Sequence, residues 1–122
     1  MIFTPSGTYA ARLRTECANL SADEAHAAHD LALYAMNTGD LYRERTLPLI
    51  AHVARRVRKG LPTTLGPWQA LVLRAARMYA AEMGSNPLHR VPAWRRDAIA
   101  DAAAFDLIAH YQEQIAETLN GD

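Results

Sequence analysis

The sequence predicts an all-α domain, a compact bundle of about five helices. Proline and glycine divide it into stretches whose apolar residues recur with helical spacing, and no stretch alternates like a strand between hairpin turns. Alanine is abundant, and the long polar side chains are mostly arginine or glutamate, which favour helix. With 122 residues the chain can bury one hydrophobic core, so we expect a single domain over residues 1–122.

The first two predicted helices cover residues 5–18 and 22–37. The boundary between them is set by Ser21 and Glu24, which have the spacing of a capping box. In that motif the serine hydroxyl accepts the amide three residues on, and the glutamate reaches back to the serine amide. We expect Gly39 to end the second helix as a left-handed cap.

The third predicted helix follows a short turn over residues 41–45 that Asp40 can cap. Pro48 fits its first turn, and Gly60 ends it. Its last turn is basic, so positive side chains meet the negative end of the helix dipole. The basic residues of this turn are Arg55, Arg56, Arg58 and Lys59. Part of this basic cluster therefore has a local structural reason.

The last two predicted helices cover residues 67–83 and 92–119. Gly84 ends the shorter of them. The longer one carries apolar residues at helical spacing along its whole length, with Trp94 at the start of the inner face.

Net charge is zero, but the charges are distributed in blocks. Residues 43–96 carry eleven basic and two acidic side chains, a net charge of +9. Residues 97–122 carry six acidic side chains and no basic one, and residues 1–42 contribute −3. The simplest interpretation is that basic and acidic helices are neighbours in the fold, and the alternative is a charged binding face.

Several functional classes lack their sequence signature. No apolar run has the length of a signal peptide or membrane helix, so we expect a cytoplasmic protein without a membrane partner. The lone Cys17 cannot form an internal disulfide. A Gly-x-Ser-x-Gly motif and a glycine-rich phosphate loop are both missing, so we expect neither enzymatic activity nor a cofactor.

The stretch DEAHAAHD, residues 23–30, is the candidate metal site. On a helix, His26 and Asp30 share a face that His29 flanks, and imidazole with carboxylate suits zinc, iron or manganese. A carboxylate-bridged di-metal bundle uses a Glu-x-x-His pair on each of two helices. Asp23 and His26 could imitate one such pair, and the sequence contains no second copy. The competing interpretation is an ordinary polar helix face, whose opening acidic residues the helix dipole already favours.

The candidate binding residues lie in and before the third predicted helix. The stretch ARRVRKG indicates nucleic-acid binding, because arginine clusters neutralise phosphates. A helix-turn-helix is disfavoured, since the link over residues 59–67 exceeds the usual three or four residues. Tyr42 is the aromatic residue that we expect to be exposed. The candidate set is Tyr42, Arg43, Arg45, Arg55, Arg56, Arg58 and Lys59.

The run LYRERTLPLIAHVARRVRKG, with LGPW following and a separate helix opening at RRDAIADAAA, resembles small proteins of bacteriophages and integrated mobile elements. The resemblance covers residues 40–83 and includes no catalytic motif, so no site residue carries over. It implies an accessory factor, for example an inhibitor of host defence, that acts by binding a protein or nucleoprotein complex.

The expected function is therefore a non-enzymatic binding module. One alternative is nucleic-acid binding through the basic cluster of residues 55–59, and another is a metalloprotein that uses His26 and His29. A homodimer, in which the acidic helix of one copy meets the basic face of another, is also open.

Overall fold

The computed structural model describes residues 15–121, and every regular element within that range is helical. The five longest helices are α1 (Ala22–Asn37), α2 (Leu47–Arg58), α3 (Gly66–Met83), α4 (Arg96–His110) and α5 (Gln112–Asn120). Between them lie an α-helical turn (Gly39–Leu41), a π-helical turn (Tyr42–Thr46) and two 3-10 turns (Pro87–Arg90 and Ala93–Arg95). The all-α prediction is confirmed for this part of the chain. Of the first predicted helix, residues 15–18 are helical and residues 5–14 lie outside the described range.

The N-terminus of α1 is fixed by the predicted capping box. The Glu24 amide donates to Ser21 Oγ at 3.2 Å, and the Ser21 amide donates to Glu24 Oε1 at 2.9 Å. The prediction that Gly39 forms a left-handed cap is wrong. The chain leaves α1 through extended Thr38 instead, whose hydroxyl donates to the Tyr34 carbonyl at 2.6 Å and so satisfies the last turn. Gly39 then begins the next helical turn.

Residues 39–58 form one continuous helical run rather than a turn followed by a separate helix. Pro48 has no N–H to donate to the carbonyl of Glu44, and its ring crowds that carbonyl. The run widens one turn earlier into the π-helical turn, where the Leu47 amide bonds to the Tyr42 carbonyl. The predicted end of α2 is confirmed, because Gly60 follows it with a φ of +70°.

The longest predicted helix departs from regular α-helix at two places, residues 93–95 at its start and Tyr111 within it. Residues 93–95 form a 3-10 turn. The α-helical spacing that predicts a buried Trp94 therefore does not apply there. Trp94 is therefore 79% exposed, contrary to the prediction. A second break falls at Tyr111, between α4 and α5. Its ring stays buried and stacks on Trp68, with 6.4 Å between the ring centroids.

One hydrophobic core joins the five helices. Helices α1, α3 and α4 pack against one another, while α2 packs beside α5 and the π-helical turn. Trp68, Ile99 and Ile115 are fully buried and come from three different helices, so the core extends through both groups. The basic α2 thus lies beside the acidic α5, as the simplest interpretation of the charge blocks predicts.

Candidate functional site

A groove of about 330 Å³ opens on the surface between α3 and the segment formed by the π-helical turn and the start of α2. We call it the arginine groove. It is lined by Arg45, Leu49, Pro67, Ala70, Leu71, Arg74 and Arg77. The uncharged lining residues are all apolar, and we call these four the floor of the groove: Leu49, Pro67, Ala70 and Leu71. The charged lining residues are all cationic, so the groove combines apolar surface with positive charge.

Helical spacing explains why α3 supplies most of the groove. Residues 70, 74 and 77 follow one another at intervals of four and three, so their side chains lie on one face. The opposite face carries Trp68 and Val72, which are both fully buried and anchor the helix in the core. Arg74 and Arg77 therefore point outward from a rigidly held helix, whose single acidic residue is Glu82 in its last turn.

None of the three groove arginines is neutralised by a carboxylate from residues 15–121. Arg45, Arg74 and Arg77 are exposed, and neither a hydrogen bond nor an ion pair to that part of the chain involves any of them. Arginine presents five donors in a planar fork that fits carboxylate and phosphate oxygens. The groove thus offers an anionic ligand three sets of donors that residues 15–121 leave unused.

Other members of the basic block already have ionic partners. Arg95 Nε donates to Glu24 Oε2 at 2.5 Å and its Nη2 to Oε1 at 3.1 Å. These bonds, followed by the one from the Ser21 amide, lower the pKa of Glu24 to about 2. Arg90 Nη1 donates to Asp30 Oδ2 at 2.8 Å. Both pairs tie α1 to the connector before α4, which is a structural role.

The predicted basic cluster of residues 55–59 is divided by the fold. Arg56 Nε donates to the Pro62 carbonyl at 2.7 Å, and Arg58 Nη2 donates to the Thr118 carbonyl at 3.3 Å. These two side chains attach α2 to the following connector and to α5. Arg55 and Lys59 are exposed and form no ion pair with residues 15–121.

The predicted residues before α2 are also divided. Tyr42 is half-buried rather than exposed, packs near Tyr111, and its hydroxyl accepts from Gln114 Nε2 at 2.5 Å. Arg43 pairs with Asp40 on the surface at 2.5 Å. Of the predicted binding set, Arg45 alone lines the arginine groove.

Sequence reasoning missed Arg74 and Arg77 as site residues. Their signal was available in the sequence: two arginines at i and i+3 on a helix whose apolar stripe lies opposite. A consecutive run such as ARRVRKG attracts more attention, because its charge density is visible without knowing which helix faces solvent.

The histidine stripe on α1 is present but does not converge on a metal-binding point. His26 is exposed, and its Nε2 lies 3.6 Å from Asp30 Oδ2, which the Arg90 guanidinium also contacts. Within residues 15–121, no three histidine, cysteine, aspartate or glutamate side chains are grouped where they could hold a metal ion. His29 is exposed, and its charge partly offsets the burial that raises the pKa of Asp106.

A second cavity, of about 490 Å³, lies between the residues before α1 and the α1–α4 pair. Its lining is mostly apolar and includes Phe105, Asp106 and the thiol of Cys17. Burial, together with the negative field of Asp101, raises the pKa of Cys17 to about 11, and its Sγ contacts the Ala98 carbonyl at 3.7 Å. The thiol is therefore protonated at neutral pH and is a poor nucleophile there.

Comparison with protein-family models, with curated proteins and with solved structures found no match to this chain. Among the helices of residues 15–121, none has the combination of length and apolar character needed to cross a bilayer.

Proposed function

We propose that this chain is a non-enzymatic binding module that receives an acidic surface of a protein or nucleoprotein partner in the arginine groove. The observation that carries the proposal is the placement, around one apolar floor, of three guanidiniums that residues 15–121 do not neutralise. Such a site recognises its ligand by charge-assisted hydrogen bonds, without any chemical step. The resemblance to phage and mobile-element proteins supports the same class of role, an accessory factor that acts by binding.

The test compares two variants that each lose two positive charges from exposed positions. R74Q/R77Q changes the arginine groove, whereas R55Q/K59Q changes the end of α2. Fluorescence anisotropy with a labelled oligoglutamate peptide, duplex DNA and single-stranded RNA reports binding to each protein. We expect R74Q/R77Q to weaken binding about tenfold or more, and R55Q/K59Q to stay near wild type. Failure of the wild-type protein to bind any of these probes at low salt would overturn the proposal.

Nucleic-acid binding through the end of α2 is the second candidate. It is favoured by Arg55 and Lys59, which are exposed four residues apart and so share one helix face. In this case R55Q/K59Q is expected to bind DNA or RNA more weakly than wild type, while R74Q/R77Q binds as wild type does. The slope of log affinity against log salt concentration would then fall by about two on loss of two phosphate contacts. That result would reject the arginine groove as the binding site.

A further inference from the structure

The floor of the arginine groove distinguishes between classes of anionic partner. Leu49, Pro67 and Leu71 line it together with Ala70, so a ligand that fills the groove covers apolar surface as well as charge. Its volume of about 330 Å³ is at the lower end of the range for ligand cavities. A phosphodiester backbone has no apolar group to place there. Single-stranded nucleic acid gains affinity by stacking bases on aromatic rings, and none of the lining residues is aromatic.

The spacing of the arginines suits carboxylates on a helix. Arg74 and Arg77 are three residues apart on α3, which corresponds to a rise of about 4.5 Å. Acidic residues at i and i+3 or i+4 on a partner helix have a similar separation, and each can pair with one guanidinium. An apolar residue on the same face of that helix would then reach the floor. This is the helix-in-groove mode of recognition, with charge complementarity added.

We propose that the arginine groove binds an amphipathic acidic segment of a partner protein, with carboxylates on Arg45, Arg74 and Arg77 and an apolar side chain on the floor. This inference rests on the proposed function and specifies the partner: a protein segment in which acidic residues flank at least one large apolar residue. Nucleic acid is the competing ligand, and the experiment distinguishes between the two.

The test uses two helical peptides of equal charge. One carries glutamates around a central leucine, and the other has serine in place of that leucine. We expect the leucine peptide to bind about tenfold more tightly, because only its side chain loses contact with water in the groove. Duplex DNA and single-stranded RNA are measured under the same conditions and are expected to bind more weakly than the leucine peptide.

A substitution that places a carboxylate inside the groove shows where the peptide binds. Ala70 is exposed, and in A70E the new carboxylate lies four residues before Arg74 on the same face, so it competes for the guanidinium. We expect A70E to lose most peptide binding. A109E, which adds the same charge at an exposed position on α4, should retain it. Circular dichroism and thermal melting of both variants verify that the fold is kept.

The outcomes separate the inference from the proposed function. Equal affinity for the two peptides overturns the inference and leaves the proposed function standing. The same holds if DNA or RNA binds more tightly than the leucine peptide and A70E abolishes that binding. Peptide binding that A70E and A109E affect equally also overturns the inference, because the site would then lie elsewhere. Absence of binding to every probe overturns both.

Discussion

At the scale of single residues, Glu24 shows how one side chain serves two parts of the fold. Its carboxylate completes the capping box of α1 and accepts two hydrogen bonds from Arg95, while its residue is only 7% exposed. The helix start and the turn before α4 therefore depend on the same charge. Protonation of this group weakens both attachments together.

This dependence predicts acid sensitivity. The pKa of Glu24 is about 2 in the folded protein and about 4.5 when unfolded, so the unfolded state binds the proton first as pH falls. The stabilisation is complete above pH 4.5 and is lost progressively as pH falls toward 2. In E24Q this contribution should be absent, so its unfolding free energy should decline less over that range. Urea unfolding at several pH values measures this, and D23N, at an exposed position one residue earlier, is the matched control.

Cys17 gives a second prediction at the residue scale. Its pKa of about 11, against an ordinary value of 9.0, leaves about one hundredth of the usual thiolate at mildly alkaline pH. Because a more basic thiolate is also a stronger nucleophile, we expect the native protein to react with a disulfide reagent roughly tenfold more slowly than the urea-unfolded protein. The release of the coloured thiolate follows the reaction directly. Equal rates in the two states would show that the thiol is neither buried nor near negative charge.

At the scale of elements, α5 depends for its stability on its contacts with the rest of the bundle. Nine residues are too few for a stable isolated helix in water, so its stability comes from packing beside α2. Ile115 is its one fully buried side chain. Truncation of Ile115 to alanine removes the most deeply buried apolar side chain of this element.

We therefore expect I115A to lower the unfolding free energy by about 2–5 kcal/mol, the usual cost of truncating a buried isoleucine. E113A, at an exposed position on the same helix, should change it by less than about 0.5 kcal/mol. Denaturant titration of both variants provides the comparison. A cost for I115A similar to that for E113A would mean that α5 packs loosely on the rest of the bundle.

Elements with local start and stop signals could be predicted from the sequence. The capping box fixed the start of α1, and glycines with positive φ followed α2 and α3 as expected. The break at Tyr111 could not be predicted from local signals. Tyr111 stacks on Trp68, which lies far from it in the sequence, and a local pattern does not show such a contact. The sequence does not predict the π-helical turn, because proline is typical of the first turn of a helix, whereas Pro48 lies inside a longer helical run.

The same distinction holds for the candidate site. Arg45 was part of the predicted binding set, but Arg74 and Arg77 were not, because the groove exists only where the fold brings Arg45 and Leu49 opposite α3. Local charge density favoured residues 55–59 instead. Two of those arginines donate to backbone carbonyls that only the folded chain brings within reach.

At the scale of the whole molecule, the net charge is zero, but the basic side chains are not all neutralised by neighbouring acidic ones within residues 15–121. Acidic α5 lies beside basic α2, and acids of α1 pair with arginines of the connector before α4. The arginine groove is a part of the basic block where residues 15–121 supply no ionic partner. A surface with this uncompensated charge attracts anionic partners at long range, and that attraction weakens as salt is added.

Asp101 gives the last prediction, on the pH dependence of the whole fold. Its carboxylate is buried between α3 and α4, where it accepts a hydrogen bond from Gln69 Nε2. Burial first, and then the nearby charges of Asp97 and Glu16, raise the pKa of Asp101 above 3.8. Between 3.8 and that raised pKa the folded state binds more protons than the unfolded state, so this group favours folding at low pH.

As pH rises through this window, the Asp101 contribution is lost, which is opposite in sign to the effect of Glu24. D101N removes the charge but keeps a side chain that can bond to Gln69. We therefore expect the stability of D101N relative to wild type to increase with pH above 3.8 and to level off once Asp101 is ionised. E113Q, at an exposed position on α5, should show a much smaller change. A pH-independent difference between D101N and wild type would show that Asp101 ionises normally in the folded protein, and that its burial is relieved by local opening.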